Sequence, residues 1–278
     1  MENITIKTPA KINFGLNVIA KRADGFHNIE TIYYPVDIWD TITFSESDKF
    51  IFETDNETLN SEKDNIILKA VSVLEDHSKK KLNAKIHLSK KIPIGAGLGG
   101  GSSDAAAVLK TLNSLFRLNI DSLNLNEMAA NIGSDVPFFL NPYPSFATSR
   151  GEVLEQINFK IDYAIFLINP GIFVSTKWAY EKVKPRKSGL SLIELYRIGK
   201  LKPENFKEYI TNDFEKPVME EFQAIRKLKE ELYEMGADFA LMSGSGSSLF
   251  AIFRNPVLAV EAKEYYENQY FTYLQISD

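Results

Sequence analysis

The residues from Lys91 to Ala107 read Lys-Ile-Pro-Ile-Gly-Ala-Gly-Leu-Gly-Gly-Gly-Ser-Ser-Asp-Ala-Ala-Ala. Five glycines, Gly95, Gly97, Gly99, Gly100 and Gly101, fall within seven positions. Glycine costs backbone entropy on folding, so a run this dense is kept where the chain must take positive φ or let something approach closely. Ser102, Ser103 and Asp104 are of the kind that cap helices, and Ala105 to Leu112 continues with helical composition. The loop therefore opens a helix whose first N–H groups are unpaired and carry the positive end of the helix dipole. An anion fits there, and phosphate is the expected guest. Pro93, Ile94, Ala96 and Leu98 complete the loop.

Other readings of the loop are weaker. Gly95, Gly97 and Gly100 satisfy G-x-G-x-x-G, and Asp121 stands where a ribose-binding acid would in a dinucleotide fold. Such a loop follows a fully buried parallel strand, however, whereas Ala84–Ser89 alternates in polarity and Pro93 interrupts the approach. No Gly-Lys-Ser/Thr closes a Walker loop. A plain turn onto a helix needs only one or two glycines.

Three further stretches carry candidate chemistry. Ile12, Phe14, Leu16 and Val18 define one face of a strand, which leaves Lys11, Asn13, Gly15 and Asn17 on the other. A lone lysine on a strand is usually solvated. The following Asp24-Gly25 turn, with Phe26 and His27 just after it, reads as a hairpin or as a ring and an imidazole placed to stack on and hydrogen-bond a planar group. Asp135 lies between Gly133-Ser134 and the apolar Val136-Pro137-Phe138-Phe139-Leu140. A carboxylate there either caps a short helix begun by Pro137 or, partly desolvated, takes a proton. Ser243-Gly244-Ser245-Gly246-Ser247-Ser248, bracketed by two core-like strands, is a short loop held at both ends and a second candidate for contacting phosphate.

The elements that must position these residues follow in order. Strands are expected before and after Pro9, then at Thr31–Val36, Ile38–Phe44, Lys49–Glu53 and Ala84–Ser89. Helices are expected from the Asp64-Asn65 cap onward, from the glycine loop to Phe116, and at Leu123–Ile132. Ser145–Glu152 reads as a polar turn, with a domain boundary beyond it. The remainder alternates: strand Tyr163–Ile168, a helix after Ser175, a polar loop at Lys182–Gly189, and helices at Ser191–Ile198, Pro203–Tyr209 and Val218–Met235. The strand pair around the Ser/Gly loop, helix Pro256–Asn268 and strand Phe271–Ile276 complete it. This is an α+β pattern of two domains, 1–157 and 158–278.

Across 278 residues, 44% hydrophobic and 25% charged content is that of a globular chain able to bury a sizeable core. A net charge of −5 gives no reason to expect nucleic acid or an anionic membrane as partner. No apolar run approaches spanning length and the amino terminus lacks a signal's apolar core, so a cytoplasmic protein is expected. With no cysteine, and with His27, His77 and His87 scattered, there is no protein-only metal site to expect. Any metal would arrive with a nucleotide.

Taken in their order, Thr8-Pro9-Ala10-Lys11-Ile12-Asn13, the Pro93–Ala106 run and Ser243–Ser248 resemble the three motifs of the GHMP small-molecule kinases. Arg22–His27 and Gly133–Phe139 agree with the branch that acts on a cytidylyl alcohol in isoprenoid precursor biosynthesis. The resemblance implies a ribosomal-protein-S5-domain-2-like N-terminal domain and a ferredoxin-like α/β sandwich as the C-terminal domain. It implies transfer of the ATP γ-phosphoryl to a hydroxyl of a substrate bearing a cytidine diphosphate group, with Mg²⁺ carried on the nucleotide. It maps the catalytic base to Asp135 and the catalytic lysine to Lys11. Residues 93–103 and Asn65 would meet ATP, Ser102 or Ser103 touching the metal. Asn13, Phe26, His27, Tyr180, Gly244 and Ser245 would meet the substrate, Phe26 and Tyr180 holding cytosine between them. Arg150 is a looser match to a phosphate contact. A monomer or weak homodimer is implied.

Overall fold

The computed structural model of the chain describes residues 3–60, 65–185 and 189–276. Asp64, expected to share the cap with Asn65, and Arg186, Lys187 and Ser188 of the expected polar loop lie outside them. The chain forms two compact units, one of Met1–Ala10, Asp37–Ile94 and Gly99–Pro142, the other of Lys11–Val36, Gly95–Leu98 and Tyr143–Asp278.

Strands β1 (Ile4–Lys21) and β2 (His27–Glu46) are paired with each other and contribute residues to both units. Each is one strand where two were expected. Pro9 does not break β1: among the described residues the one named strand paired with β1 is β2, and a proline's missing donor is tolerated at an edge.

In the first unit β3 (Ile51–Thr54) precedes the short helix α1 (Glu57–Asn60) and helix α2 (Ile66–Ser78), and β4 (Ala84–Ser89) follows. β4 runs antiparallel to β2, Thr41 opposite Ser89 and Glu46 opposite Ala84, and parallel to β3. Ala84, Ile86 and Leu88 turn inward by the alternation that the sequence shows. Helices α3 (Gly100–Leu115), α4 (Ser122–Ile132) and α5 (Val136–Leu140) complete this unit. α2 and α5 both pack on α3, whose apolar side is Ala105, Ala106, Val108, Leu109 and Leu112.

In the second unit β5 (Ser145–Thr148) and β6 (Val153–Gln156) form a hairpin where only a polar turn was expected. Ser145, Phe146 and Ala147 are buried against β2 residues Thr31–Tyr33, and the turn is confined to residues 149–152. A four-stranded antiparallel sheet is ordered β10-β7-β9-β8 from β7 (Ala164–Asn169), β8 (Phe239–Met242), β9 (Leu249–Phe253) and β10 (Phe271–Gln275). Between β7 and β8 come α6 (Thr176–Lys182), α7 (Leu192–Arg197), α8 (Phe206–Tyr209), α9 (Glu215–Glu221) and α10 (Gln223–Glu234), and α11 (Pro256–Tyr266) precedes β10. The expected helix Val218–Met235 is thus two helices that start earlier. The break is at Phe222, whose backbone leaves helical geometry while its ring meets Trp178 edge-on. The all-buried β8 and β9 clamp the Ser/Gly loop at both ends.

Candidate active site

In the first unit the helix starts carry the candidates. Asn65 caps α2, its Oδ1 accepting from Ile67 N at 2.8 Å, while its buried Nδ2 has no protein partner. Gly99, at φ 71°, turns the chain into α3 without any side-chain cap, so the expected capping by Ser102, Ser103 and Asp104 is not observed. Ser102 and Ser103 lie inside the first turn and Asp104 just past it, and the buried Ser103 Oγ is likewise without a partner. Two buried polar atoms lacking partners at helix starts are costly unless a ligand completes them. A Cβ on Gly101 would lie 3.4 Å from Ile66 Cγ2, and one on Gly133 3.8 Å from Ile66 Cδ1. Ile66 therefore joins the α2 start, the α3 start and the Gly133–Asp135 turn. Asp135 stands half-buried at the N-cap position of α5, with Pro137 in the first turn as expected, but its side chain makes no cap hydrogen bond. The structural reading of this carboxylate as a cap is thereby removed.

Asp104 has turned from capping to a buried network. Its Oδ1 accepts from Thr8 Oγ1 at 2.7 Å and its Oδ2 from Lys90 Nζ at 3.1 Å. Lys90 Nζ also donates to Asp40, whose Oδ1 accepts the backbone N–H groups of Lys91 and Ile92 at 2.6 and 2.8 Å. The entry to the glycine loop is tied in this way to the helix that leaves it. A Cβ on Gly100 would come within 2.7 Å of Lys90 Nζ, so this glycine is demanded by close packing.

Burial pushes the Asp104 carboxyl up to about 6, opposed by Lys90 and reinforced by Asp40. The folded state holds this proton more tightly than the unfolded chain does. Its stabilisation is complete below the ordinary carboxylate pKa of about 4 and is lost as pH rises through about 6. Asp104→Asn removes that titration while still offering an acceptor to Lys90. The Tm of the native protein should fall relative to that of the variant across this interval; parallel curves would assign the titration to another group.

The second unit gathers the remaining candidates. Lys11 and Asn13 sit on β1, both buried, with Lys11 only 3% exposed. The solvated alternative for this lysine is therefore ruled out. Its Nζ donates to Asn13 Oδ1 and to Gly97 O at 3.2 Å, and lies 5.2 Å from the centroid of the Tyr33 ring. Asn13 Nδ2 donates to Thr31 Oγ1 at 3.0 Å, which fixes the amide so that its oxygen faces the lysine. The edge of β1 binds the glycine loop directly, Lys11 N donating to Leu98 O at 2.9 Å. Ser243 closes the arrangement: its Oγ donates to Gly97 O at 2.8 Å and accepts from Asn13 N at 3.1 Å. Gly244, at φ 58°, lies against Asn13, and Ser245 Oγ is 2.9 Å from Thr176 Oγ1. Ser248 N donates to Ala96 O, and Asn169 Nδ2 to Ser247 and Ser248 Oγ. Gly95 and Gly97 both have positive φ. Lys11, Asn13, Gly95–Leu98 and Ser243–Ser248 thus form one hydrogen-bonded group.

The aromatic candidates lie in the same unit. Arg22 N donates to Phe26 O at 2.8 Å across the Asp24-Gly25 turn, and Asp24 Oδ1 accepts Phe26 N at 3.1 Å. The turn presents Phe26 at 51% exposure, with the Arg150 guanidinium 5.0 Å from its ring centroid. His27 stacks on Tyr180, centroids 4.9 Å apart and planes 16° apart. Burial, then the Lys21 charge, lowers the His27 pKa and favours the neutral imidazole, which can both donate and accept. Tyr180 is braced edge-on by Phe214. Arg150 also pairs with Glu152 at 3.2 Å.

Sequence reading missed Thr31, Tyr33 and the segment Asn212–Glu215, all of which touch this group or its loops. The only sequence signal for the last was an Asn-Asp pair ahead of a helix, which reads as a cap.

Family models for the GHMP kinases N-terminal domain and the GHMP kinases C-terminal region match residues 65–141 and 196–272. The chain is 37% identical over 281 residues to the 4-diphosphocytidyl-2-C-methyl-D-erythritol kinase of Thermodesulfovibrio yellowstonii, covering 98% of this chain and 97% of that one. It is 42% identical to the enzyme of the same name from Parabacteroides distasonis over 89% of this chain and 90% of that one. A crystal structure of a 4-(cytidine 5'-diphospho)-2C-methyl-D-erythritol kinase superposes with a TM-score of 0.80 at 30% identity, over 98% of each chain. Homoserine kinase from Cytophaga hutchinsonii, at 18% identity and a TM-score of 0.70, shares the fold.

Proposed function

The chain belongs to the GHMP kinases, in the branch of the 4-diphosphocytidyl-2-C-methyl-D-erythritol kinases, and we propose that Lys11, Asp135 and the glycine loop carry its reaction. The enzyme phosphorylates the 2-hydroxyl of 4-diphosphocytidyl-2-C-methyl-D-erythritol with ATP, a step of isoprenoid precursor biosynthesis. The two family matches fall on either side of residue 157, which supports 1–157 and 158–278 as the N- and C-terminal domains.

Phosphoryl transfer has a loose transition state, so the protein mainly positions groups and stabilises charge. Asp135 accepts the proton of the attacking hydroxyl. Lys11 offsets charge on the transferring group, and the observation that carries this role is its burial with Nζ bonded to the glycine-loop carbonyl of Gly97. A lysine withdrawn from water and aimed by Asn13 costs no reorganisation when charge develops. Asn13 uses its remaining amide hydrogen on the substrate. Residues 93–103 meet ATP, its phosphates on backbone N–H groups of the glycine loop and of the α3 start, and the unpartnered Nδ2 of Asn65 meets the nucleotide. Gly244 and Ser245 line the acceptor.

Magnesium fits the residues present in one way. Among the described residues no group of three or more acidic or histidine side chains gathers to hold it, while the unpartnered Ser103 Oγ suits a phosphate-borne ion. When bound, the ion neutralises charge on the nucleotide phosphates. Ser102 and Ser103 would touch it.

Cytosine recognition falls to Phe26, His27 and Tyr180. The exposed Phe26 ring offers a stacking face, and neutral His27, held by Tyr180, reads the base edge. Phe26→Ala removes the face without disturbing a core, and should raise KM for the cytidylyl substrate about ten- to hundredfold, from stacking of about 1–3 kcal/mol. An unaltered KM would remove Phe26 from the clasp. The reaction is tested by ADP release with the cytidylyl alcohol, homoserine, mevalonate and galactose offered separately. Turnover confined to the first supports the reading, and turnover on another alcohol overturns it.

A further inference from the structure

The segment Asn212-Asp213-Phe214-Glu215 lies outside every motif used above, yet it bonds both to β1 and to the start of the Ser/Gly loop. Asn212 is 4% exposed, and its Nδ2 donates to two carbonyls of the Ser/Gly region, Met242 O at 2.7 Å and Gly244 O at 2.8 Å. Both amide hydrogens are thereby consumed, while Oδ1 accepts Phe214 N at 2.9 Å. Asp213 Oδ2 accepts Val18 N at 2.8 Å, and the backbone forms a parallel bridge with β1: Leu16 N donates to Thr211 O at 2.8 Å and Asp213 N to Leu16 O at 2.9 Å. Glu215 Oε1 accepts Met242 N at 2.9 Å and is held by Lys229 Nζ at 2.8 Å. One tetrapeptide thus grips the strand that carries Lys11 and Asn13 with one hand and the loop that carries Ser243 and Gly244 with the other.

Ser243 and Gly244 already contact Asn13, so the register between strand and loop is sensitive to small slips. Gly244, at φ 58°, lies where a Cβ would come within 3.2 Å of Asn13 Oδ1, the same oxygen that receives Lys11. A shift of the loop therefore moves the amide that aims the lysine. We infer that Asn212 is a positioning residue for phosphoryl transfer, its amide clamping Met242 O and Gly244 O to set the Ser/Gly loop against Asn13 and Lys11, with Glu215 as the second point of the clamp. This inference deepens the kinase reading and rests on it.

The test compares Asn212→Ser and Asn212→Asp with Leu228→Ala, a truncation of a buried side chain on α10 that removes none of the hydrogen bonds above and supplies a loss of stability for comparison. A displacement of about 1 Å at reacting groups costs about a hundredfold, so both Asn212 variants should lose kcat by about ten- to a hundredfold. KM for ATP should change less than threefold, and Leu228→Ala should lower Tm while keeping kcat. Glu215→Ala should also lose kcat, and Glu215→Gln, which retains an oxygen for Met242 N, should restore it to within threefold of native. If an Asn212 variant does not fold, the Glu215 pair decides. Native-like kcat in folded Asn212 variants, an equal kcat loss in Leu228→Ala, or no difference between the two Glu215 variants would each overturn the inference. Amide exchange at residues 243–248 gives a readout independent of the substrate: faster exchange there in Asn212→Ser, and not in Leu228→Ala, supports the clamp even if the native protein fails to phosphorylate the cytidylyl alcohol. That last failure would count against the kinase reading alone, and unchanged exchange would count against the clamp.

Discussion

Asp135→Asn should lower kcat by about two to four decades, the usual contribution of a general base, while leaving the Kd for ATP within about threefold of native. Asparagine has the shape of aspartate and cannot take a proton. Since the native carboxylate makes no cap hydrogen bond to α5, the substitution removes no helix cap. Rapid-quench single turnovers give the chemical step, and calorimetric titration of nucleotide gives the binding. A chemical rate equal to native would take Asp135 out of the base role and leave proton removal to solvent. A joint loss of rate and nucleotide binding would mean that the turn at 133–135 shapes the nucleotide site, for which its packing on Ile66 offers the route.

Gly97→Ala is expected to be nearly as damaging by a different route. Gly97 has φ 76°, and an added Cβ would lie 2.0 Å from Ser243 O, 3.0 Å from Ser243 C and 3.3 Å from Gly246 O. Every one of these is a backbone atom, so no side chain can swing aside. The loop or the Ser243 strand end must move, and either motion breaks the bonds from Lys11 Nζ and Ser243 Oγ to Gly97 O. A loss of about 1–3 kcal/mol in stability follows from the strain and overpacking, read as a lower Tm. kcat/KM should fall by about a hundredfold or more through displacement of the lysine. Gly189→Ala is the control: with ordinary φ and nothing within 4 Å of the added carbon, it should match native in both measurements. Normal activity in Gly97→Ala would dissociate the Lys11–Gly97 contact from catalysis.

Much of the candidate site was legible because its signals are local. Five glycines in seven residues announce positive φ and close approach, and the structure has Gly95, Gly97 and Gly99 at positive φ and Gly100 pressed on Lys90. Alternation placed Lys11 and Asn13 on one strand face, and the apolar flanks of the Ser/Gly run marked it as a clamped loop. What misled was equally local. Ser102, Ser103 and Asp104 look like caps, since nothing in their neighbourhood reveals that Asp104 has Lys90 and Thr8 as partners. Pro9 looks like a strand end, since only the pairing scheme shows that β1 is an edge. Phe222 continues an amphipathic pattern, and the contact its ring makes where the helix breaks is with Trp178, far off in the chain.

The sequence by itself determined the chemistry on offer: an anion seat, a lysine and an amide on one strand face, a carboxylate beside an apolar run, and an aromatic turn. Each follows from backbone freedom, side-chain period or composition within a few residues, and these hold in any fold that keeps the segment ordered. Only the tertiary structure decided which of those groups touch: Lys11 on Gly97, Ser243 between Gly97 and Asn13, His27 on Tyr180, and Asn212 on Met242 and Gly244. Their partners are many residues apart, and such contacts form only when loop closure is offset by the burial of whole elements. No local pattern encodes that balance, so the aim of each group is a property of the folded chain.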